Sequence, residues 1–533
     1  MLTPPTMEQF ARLLDALTFT RSRNAKLRLI ADHLCAAPDP DRGWALAALT
    51  GTLHLKAVQP ALLKALMAQR VDPTLFALSH DFVGDMAETI SLLWPDAPGD
   101  KAPPPSLDEV VRQLSGLARK DAPAVVAALL DRLDAPGRYA LIKLATGALR
   151  AGVSARLAKT GFAQGFGLDV EAVEEVWHGL SPPFAPLFQW ATGAAPQPSA
   201  GDVPVFRPFM LASPLEDGAT LDLAEHAAEW KWDGIRVQLV HAGGQTRLFS
   251  RTGDDVSASF PDLALAIPAA LDGELLVRGE GQGAAGGVDA SGSFNALQQR
   301  LGRKAPPPKL LAERPAFIRV YDLLSHAGED MRPLPWAVRR ARLEALMPAL
   351  DPARFELSPL VEAADWDAMA ALRAQARDAA IEGLMLKRRD APYTAGRRAG
   401  LWFKWKRDAL TADCVLMYAQ RGHGKRSSLY SDFTFGCWSD DGQLLPVGKA
   451  YSGFTDAELA MLDKFVRTHT VQKFGPVREV EKSLVLEVAF DSIHASTRHK
   501  SGLAMRFPRI ARIRTDKPAA EADTIAALLK LAS

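Results

Sequence analysis

Apolar positions in the first 195 or so residues recur at helical spacing. Phe10, Leu13, Leu14 and Leu17 follow Thr6-x-x-Gln9, a pairing suited to a capping box. Val110, Leu114 and Leu117 follow Ser106-Leu-Asp-Glu109 in the same way. Alanine is frequent and strict apolar–polar alternation is scarce, so this stretch is expected to be all helix. The Pro/Gly-rich segment 97–105 divides it into two lobes, and the Ala/Pro/Gly segment 193–201 reads as a linker. Beyond the linker the pattern changes to short strand-like runs between turns, at 246–249, 271–276, 317–324, 381–387 and 402–406. After Asp408, residues 414–419, 432–438 and 484–490 read as strands and 455–465 as a helix, a set that suits a small β-barrel. The expected layout is a helical domain over 1–198, an α+β domain over 205–407 and a barrel over 408–533.

Composition narrows the class. A chain of 533 residues, 48% of them apolar, can hold about two to four cores. It contains no run of about 18 apolar residues, so no membrane span is expected. Its first residues lack the basic start and apolar stretch of a signal peptide. Cys35, Cys414 and Cys437 are too dispersed for a zinc ribbon or a disulfide framework, which points to the cytoplasm. Net charge is only +1, but residues 401–533 carry 20 Lys/Arg against 15 Asp/Glu. A surface for a phosphate backbone would concentrate basic charge in this way; so would ordinary variation between domains.

The candidate chemistry centres on Glu229-Trp-Lys-Trp-Asp-Gly-Ile-Arg236. A lysine set between tryptophans loses solvation, which favours the neutral, nucleophilic amine. Taken alone, Lys-x-Asp-Gly proves little, because many surface hairpins carry Lys and Asp-Gly. Further clusters follow at intervals: Ser250-Arg-Thr-Gly253, Leu271-Asp-Gly-Glu274, Tyr321-Asp322 within a strand, Glu382 and Lys387 at opposite ends of another, and Trp402-Phe-Lys-Trp-Lys406. Lys231 can attack a phosphorus, while Arg236, Arg251, Lys404 and Lys406 can neutralise phosphate oxygens. Tyr321 offers a ring for a base and Glu274 an acceptor for ribose hydroxyls. Glu382 can hold magnesium, which prefers oxygen ligands. Near a helix end, Gly147, Arg150 and Gly152 either approach a DNA backbone or simply terminate a helix beside a solvated arginine. Gly281-Gln-Gly-Ala-Ala-Gly286 spells a dinucleotide fingerprint, but no apolar helix follows it, so it is read as a loop.

In their order and wording these clusters resemble the ATP-dependent DNA ligases, covalent nucleotidyltransferases related to RNA ligases and mRNA capping enzymes. More narrowly, the layout is similar to bacterial ligases with a helical DNA-binding domain and no fused nuclease or polymerase. The resemblance implies an all-α N-terminal domain, an α+β adenylation domain and a C-terminal OB-fold β-barrel. It makes Lys231 the adenylated nucleophile and Glu229 the reader of the adenine amino group. It assigns Arg236 and Arg251 to phosphate, Glu274 to ribose, Tyr321 to adenine stacking and Glu382 to the metal. Arg398, six positions before Lys404, matches a phosphate-binding arginine, and Lys404 and Lys406 would grip the α-phosphate. Arg514, Asp516 and Lys517 match a final motif that orients pyrophosphate, and Gly147, Arg150 and Gly152 a DNA-contacting turn. Implied with them are ATP, Mg2+ or Mn2+, nicked duplex DNA as substrate, a monomer, and work in repair, replication or recombination. Tyr321 departs from the family's commoner phenylalanine but keeps the ring. An NAD-dependent ligase is disfavoured, since the cysteines cannot form that family's zinc finger.

Overall fold

A computed structural model of the chain describes residues 7–55, 58–96, 102–199, 202–216, 218–278, 294–301, 303, 305–375, 381–422, 428–496 and 499–531. Thr6 of the expected capping box, most of the 97–105 break, the end of the linker and Gly281–Gly286 lie outside the described residues. The chain forms two compact units, one of residues 1–154 with 408–533 and one of residues 155–407.

The N-terminal stretch is helical from Met7–Phe19 to Ala135–Ala145. Phe10, Leu13, Leu14 and Leu17 are all buried, as their spacing requires. Ser106 caps Leu107–Leu114 by accepting the Glu109 N–H at 3.0 Å. That helix stops before Leu117, because Gly116 turns the backbone left-handed at φ +69°. The later helices Ala155–Phe166, Val170–Trp177 and Ala185–Ala191 belong to the second unit. A buried Lys159–Glu174 ion pair joins the first two of these helices, and the His178 ring lies 4.7 Å from Phe249.

Two larger sheets, beside helices and a short pairing of Met210–Leu211 with Gly396–Arg397, make up the described rest of the second unit. The first runs in the order Leu360–Val361, His226–Trp232, Ile381–Arg388, Trp402–Lys406, Ser213–Pro214. The second runs Gln245–Ser250, Ile235–Ala242, Ala269–Val277, Ala316–His326, Glu329–Asp330, with Phe355–Leu357 parallel to Ala316–His326. Asp233-Gly234 carries the chain from the first sheet to the second, and is not the tip of a hairpin. A Cβ at Gly234 would fall 2.5 Å from the Leu275 carbonyl oxygen, so only glycine fits this crossing.

Alternation divides each sheet into two faces. On the back of the first, Ala228, Leu384 and Leu386 are buried with Trp230, Phe403 and Trp405 against the helix Trp366–Gln375. The Trp366 and Trp405 rings stack there at 4.6 Å and 12°. The back of the second buries Val237, Leu239, Leu271, Leu275 and Val277. Between the sheets, one end is closed by Ala227, Val240, Phe249, Ala270, Leu324 and Trp402, and the other end is polar.

In residues 408–533 the strand Leu410–Arg421 is the organiser. One edge pairs with Tyr430–Trp438, which continues to Leu444–Ala450. The other edge pairs with Val485–Phe490 and, further along, with Val477–Val480. Val485–Phe490 continues to Arg509–Arg514. A capping box at Thr455 and Glu458 starts the helix Asp456–Thr468, which covers the core around Phe433 and Leu462. The expected barrel is not closed among the described residues: the outer strands Leu444–Ala450 and Arg509–Arg514 do not pair. The strand order branches at the long central strand, whose second edge is shared by two partners. No helix among the described residues is long and apolar enough to cross a membrane.

Candidate active site

The polar end of the first sheet is ordered in rows. Lys231 lies directly opposite Gly383, which lies directly opposite Lys406. In the next row Glu229, Met385 and Lys404 are aligned, and in the third Ala227, Lys387 and Trp402. All of these share the face turned toward the second sheet. The Ile381–Arg388 strand bulges between Ile381 and Gly383, so Glu382 has no residue directly opposite it on the Lys231 strand. Such a bulge turns an extra side chain out of the regular alternation. Here it brings the Glu382 carboxylate into an ion pair with the Lys231 amine, with Lys406 Nζ 3.3 Å from the same oxygen. Gly383 is needed for this path. Its φ is +138°, and a Cβ would sit 2.3 Å from the Trp405 carbonyl oxygen.

Charge at this end is dense. Burial pushes the Glu382 carboxyl up, but Lys231 and Lys406 outweigh burial and hold it below the usual carboxylate range. Lys404 is lowered, first by burial and then by the cations of Arg397, Lys406, Lys231 and Arg251. Glu274 enters from the second sheet. Burial pushes its carboxyl up to about 8 against the pull of Lys231 and Arg236, with Glu382 and Asp272 adding to the rise. Lys231 is not sealed among its tryptophans: its side chain keeps 23% of its exposure, and its amine sits on a carboxylate.

The polar end between the sheets, called the slot below, is bordered by the ring of Tyr321. Tyr321 is also the extra residue of a bulge, between the pairs Asp272–Asp322 and Gly273–Val320. The Lys387 amine lies 4.5 Å from the centre of the Tyr321 ring and 4.6 Å from that of Trp402. It donates to Glu229 Oε2 at 3.1 Å. Glu229 is only 1% exposed, and its Oε1 has no hydrogen-bond partner, with Arg340 3.6 Å away. Burial raises the Glu229 carboxyl while Lys387 and Arg340 draw it down.

Arg236 is held on every side. Its Nε and Nη2 donate to Asp272 at 3.1 and 2.7 Å, its Nη1 to the Met210 carbonyl at 2.7 Å and its Nη2 to the Tyr393 hydroxyl at 3.1 Å. Tyr393 donates in turn to Asp272 at 2.7 Å. A guanidinium has five N–H groups, so one Nη1 hydrogen is left over. Nothing in the spacing of the motifs pointed to Tyr393; Asp272 was visible only as the first letter of Asp-Gly-Glu. Arg398 lies on an exposed segment beside Arg397, and it is Arg397 whose charge acts on Lys404.

The remaining expected residues lie in the first unit. Arg514 bonds Asp516 at 2.9 and 3.0 Å and Asp413 at 3.2 Å, and Lys517 donates to Asp413 at 2.7 Å. Gly147 is left-handed at φ +68° and closes Ala135–Ala145, its N–H reaching the Leu144 carbonyl at 3.1 Å. Gly152, at φ +61°, offers its carbonyl to Lys26 at 2.6 Å. Exposed Arg150 lines a cleft of about 420 Å³ with Ala48 and Leu49.

A family model described as the ATP dependent DNA ligase domain matches residues 209–406, and one for the ATP dependent DNA ligase C terminal region matches 426–517. Together they cover more than half of the chain. The chain belongs to the ATP-dependent DNA ligases. A protein named "Probable DNA ligase" from Koribacter versatilis is 32% identical, over 97% of this chain and 95% of that protein. Another "Probable DNA ligase", from Opitutus terrae, is 34% identical over 99% of this chain, which spans 62% of that longer protein. The solved structure named Pmar-Lig_PreS3 superposes with a TM-score of 0.57 over 95% of this chain and 99% of its own, at 15% identity, a likeness of fold. The matched ligase domain contains both sheets of the polar slot, from Phe209 beneath Arg236 to Lys406 beside Glu382.

Proposed function

We propose that the slot binds ATP, that Lys231 becomes covalently adenylated, and that the AMP is passed to the 5′-phosphate of a nick in duplex DNA. The adjacent 3′-hydroxyl then displaces AMP and seals the strand. The observation that carries this reading is the convergence on one face of the Lys231 amine, the Glu382 carboxylate and the cations of Lys404 and Lys406, beside a slot walled by Tyr321. In the first step Lys231 must give up the ammonium proton of its ion pair with Glu382 to solvent before its nitrogen attacks the α-phosphorus; a P–N bond forms, the P–O bond to pyrophosphate breaks, and the second proton shed by the nitrogen leaves with pyrophosphate or solvent. Charge on the phosphate oxygens is met by cations already in place, which need no reorganisation. Arg251, Arg398, Lys404 and Lys406 serve the phosphates, and Arg236 does so through its one remaining hydrogen. Glu274 takes the ribose hydroxyls. The unbonded Glu229 Oε1 suits the amino group of adenine, where guanine would present a carbonyl oxygen.

Magnesium fits this donor set. The ion needs only one or two protein carboxylates when substrate phosphates complete its shell. Glu382, kept ionised by its lysines, would hold it, and the ion would supply charge neutralisation at the phosphates. Arg514, Asp516 and Lys517 orient the departing pyrophosphate, on a C-terminal domain of OB-fold type, with a hinge at Arg407–Asp408. Gly147, Arg150 and Gly152 contact the DNA backbone from a helical domain over 1–198, so affinity falls steeply with salt. The protein works as a monomer in the cytoplasm, in repair, replication or recombination. Incubation with α-labelled ATP and magnesium tests the reading: wild type retains label and Lys231→Ala does not. Equal labelling by the variant, or labelling by GTP in place of ATP, would contradict it.

A further inference from the structure

Two neighbouring arginines meet two buried carboxylates, and meet them differently. The helix Trp336–Leu346 is fixed on the second sheet by Leu343 and Leu346, which lie in that sheet's core. Arg339 and Arg340 of this helix are both buried. Arg339 closes on Asp322 as a fork, its Nε and Nη2 donating at 2.7 and 2.9 Å. Arg340 stops short of Glu229. Its Nη1 donates to the Ser358 carbonyl at 2.9 Å and its Nε to Glu344 at 2.7 Å. Ser358 is anchored in turn, with its N–H on the Val320 carbonyl at 2.9 Å and its hydroxyl accepting from Trp232 Nε1 at 3.0 Å. Glu229 Oε1 lies 3.6 Å from Arg340 Nη1 and, among the described residues, receives no hydrogen bond.

Glu229 thus has one oxygen bonded by Lys387 and one that feels a positive charge without receiving a proton. An acceptor buried without a donor costs stability in the free protein. Packing alone would be served better by a second fork like that of Arg339. Burial pushes the Glu229 carboxyl up, Lys387 and Arg340 draw it down, and Asp322 adds to the rise. Burial prevails in this balance, so the charge on Glu229 depends on both cations. That charge decides what the open oxygen can bond. An ionised carboxylate only accepts, whereas a protonated one also carries an O–H donor. The first suits a purine with an amino group at position 6, the second a purine with a carbonyl there.

We propose that Arg340 is a positioning residue that determines base specificity: with Lys387 it keeps Glu229 ionised, and by bonding Ser358 instead of Oε1 it leaves that oxygen open to the 6-amino group of the purine. The inference rests on the ATP-binding reading above and deepens it. Arg340 acts through Glu229 and does not itself touch the nucleotide.

The test measures lysine adenylation of the full-length protein by ATP and by inosine triphosphate, whose base has an oxygen at position 6 and lacks the 2-amino group of guanine. Wild type should favour ATP by about 10²-fold or more in kcat/KM. Arg340→Gln is uncharged but can still bond the Ser358 carbonyl. It should lower that preference by about ten-fold or more, chiefly through a gain with the inosine nucleotide. Arg340→Lys keeps the charge and should hold the preference within about three-fold of wild type. A purely structural arginine gives a different result: Arg340→Gln would lose rate with both nucleotides in proportion and keep the wild-type ratio, which would overturn the proposal. If Arg340→Gln does not fold, Lys387→Gln removes the other cation from the same carboxylate and leaves the helix intact. It should relax the preference in the same direction, and an unchanged ratio there would also overturn the proposal. Wild type labelled by ATP and the inosine nucleotide alike would overturn it while leaving Lys231 as the nucleophile. Wild type that ATP does not label would sink the ATP-binding reading as well.

Discussion

The two faces of the first sheet in residues 155–407 are made by the same strands and could hardly differ more. On the back, Trp230, Leu384, Leu386, Phe403 and Trp405 pack against Trp366 and Met369. On the front, Glu229, Lys231, Lys387, Lys404 and Lys406 gather charge that folding alone does not require. Shifting any one strand by a single residue would exchange the two sets. The apolar face therefore fixes the register, and the register delivers the lysines. The charged groups of the front face are held in place by the apolar residues of the back face.

The comparison breaks most sharply at Glu382. Glu382→Ala removes the carboxylate that meets Lys231 and the donor proposed for magnesium, and leaves the back face untouched. Its rate of lysine adenylation should fall by about 10²–10³-fold with thermal stability unchanged. A wild-type rate in single-turnover labelling would refute the role. The mirror experiment is Leu384→Ala, on the fully buried back face. It should cost about 2–5 kcal/mol in denaturant unfolding while the remaining folded molecules adenylate normally. Loss of activity without loss of stability would mean that the two faces are not separable in this way.

A finer probe is pH. Glu274 titrates at about 8 in the folded chain against an ordinary 4.5. The folded state therefore binds its proton more tightly than the unfolded state does. Its stabilising contribution is complete below about 4.5, declines as pH rises, and is lost above about 8. Subtracting the stability profile of Glu274→Gln from that of wild type should reveal this decline between those limits. A contribution that grows with pH would show that Lys231 and Arg236 dominate burial. The smallest effect is expected at Tyr321→Phe. The ring is retained, and it is the Tyr393 hydroxyl that bonds Asp272 and Arg236, so the KM for ATP should change less than about two-fold. A ten-fold rise would give the Tyr321 hydroxyl a part in binding.

Much of the slot was legible in the chain, because its residues sit in short motifs within strands whose alternation can be read. Lys404 and Lys406 share a face simply because they are two residues apart. The two bulges were not legible. Glu382 and Tyr321 each owe their position to one extra residue in a strand pair, and pairing depends on a partner distant in sequence. For the same reason the partners of the motifs went unseen: Lys387 on Glu229, Tyr393 on Arg236, and Arg397 acting on Lys404. In residues 408–533 the strands were anticipated near their observed places, but closure was not a local property. It depends on whether strands far apart in sequence pair, and Leu444–Ala450 and Arg509–Arg514 do not. The buried Lys159–Glu174 pair had no signal at all, since fifteen residues and a turn separate its members.

The account depends on which atom receives the adenylate. Wild-type protein incubated with ATP and magnesium, then digested and mapped by mass spectrometry, should carry a single AMP on the Lys231 amine and none on Lys404, Lys406 or Lys517. Adenylate on another lysine, or a chain that stays unmodified, would contradict the account.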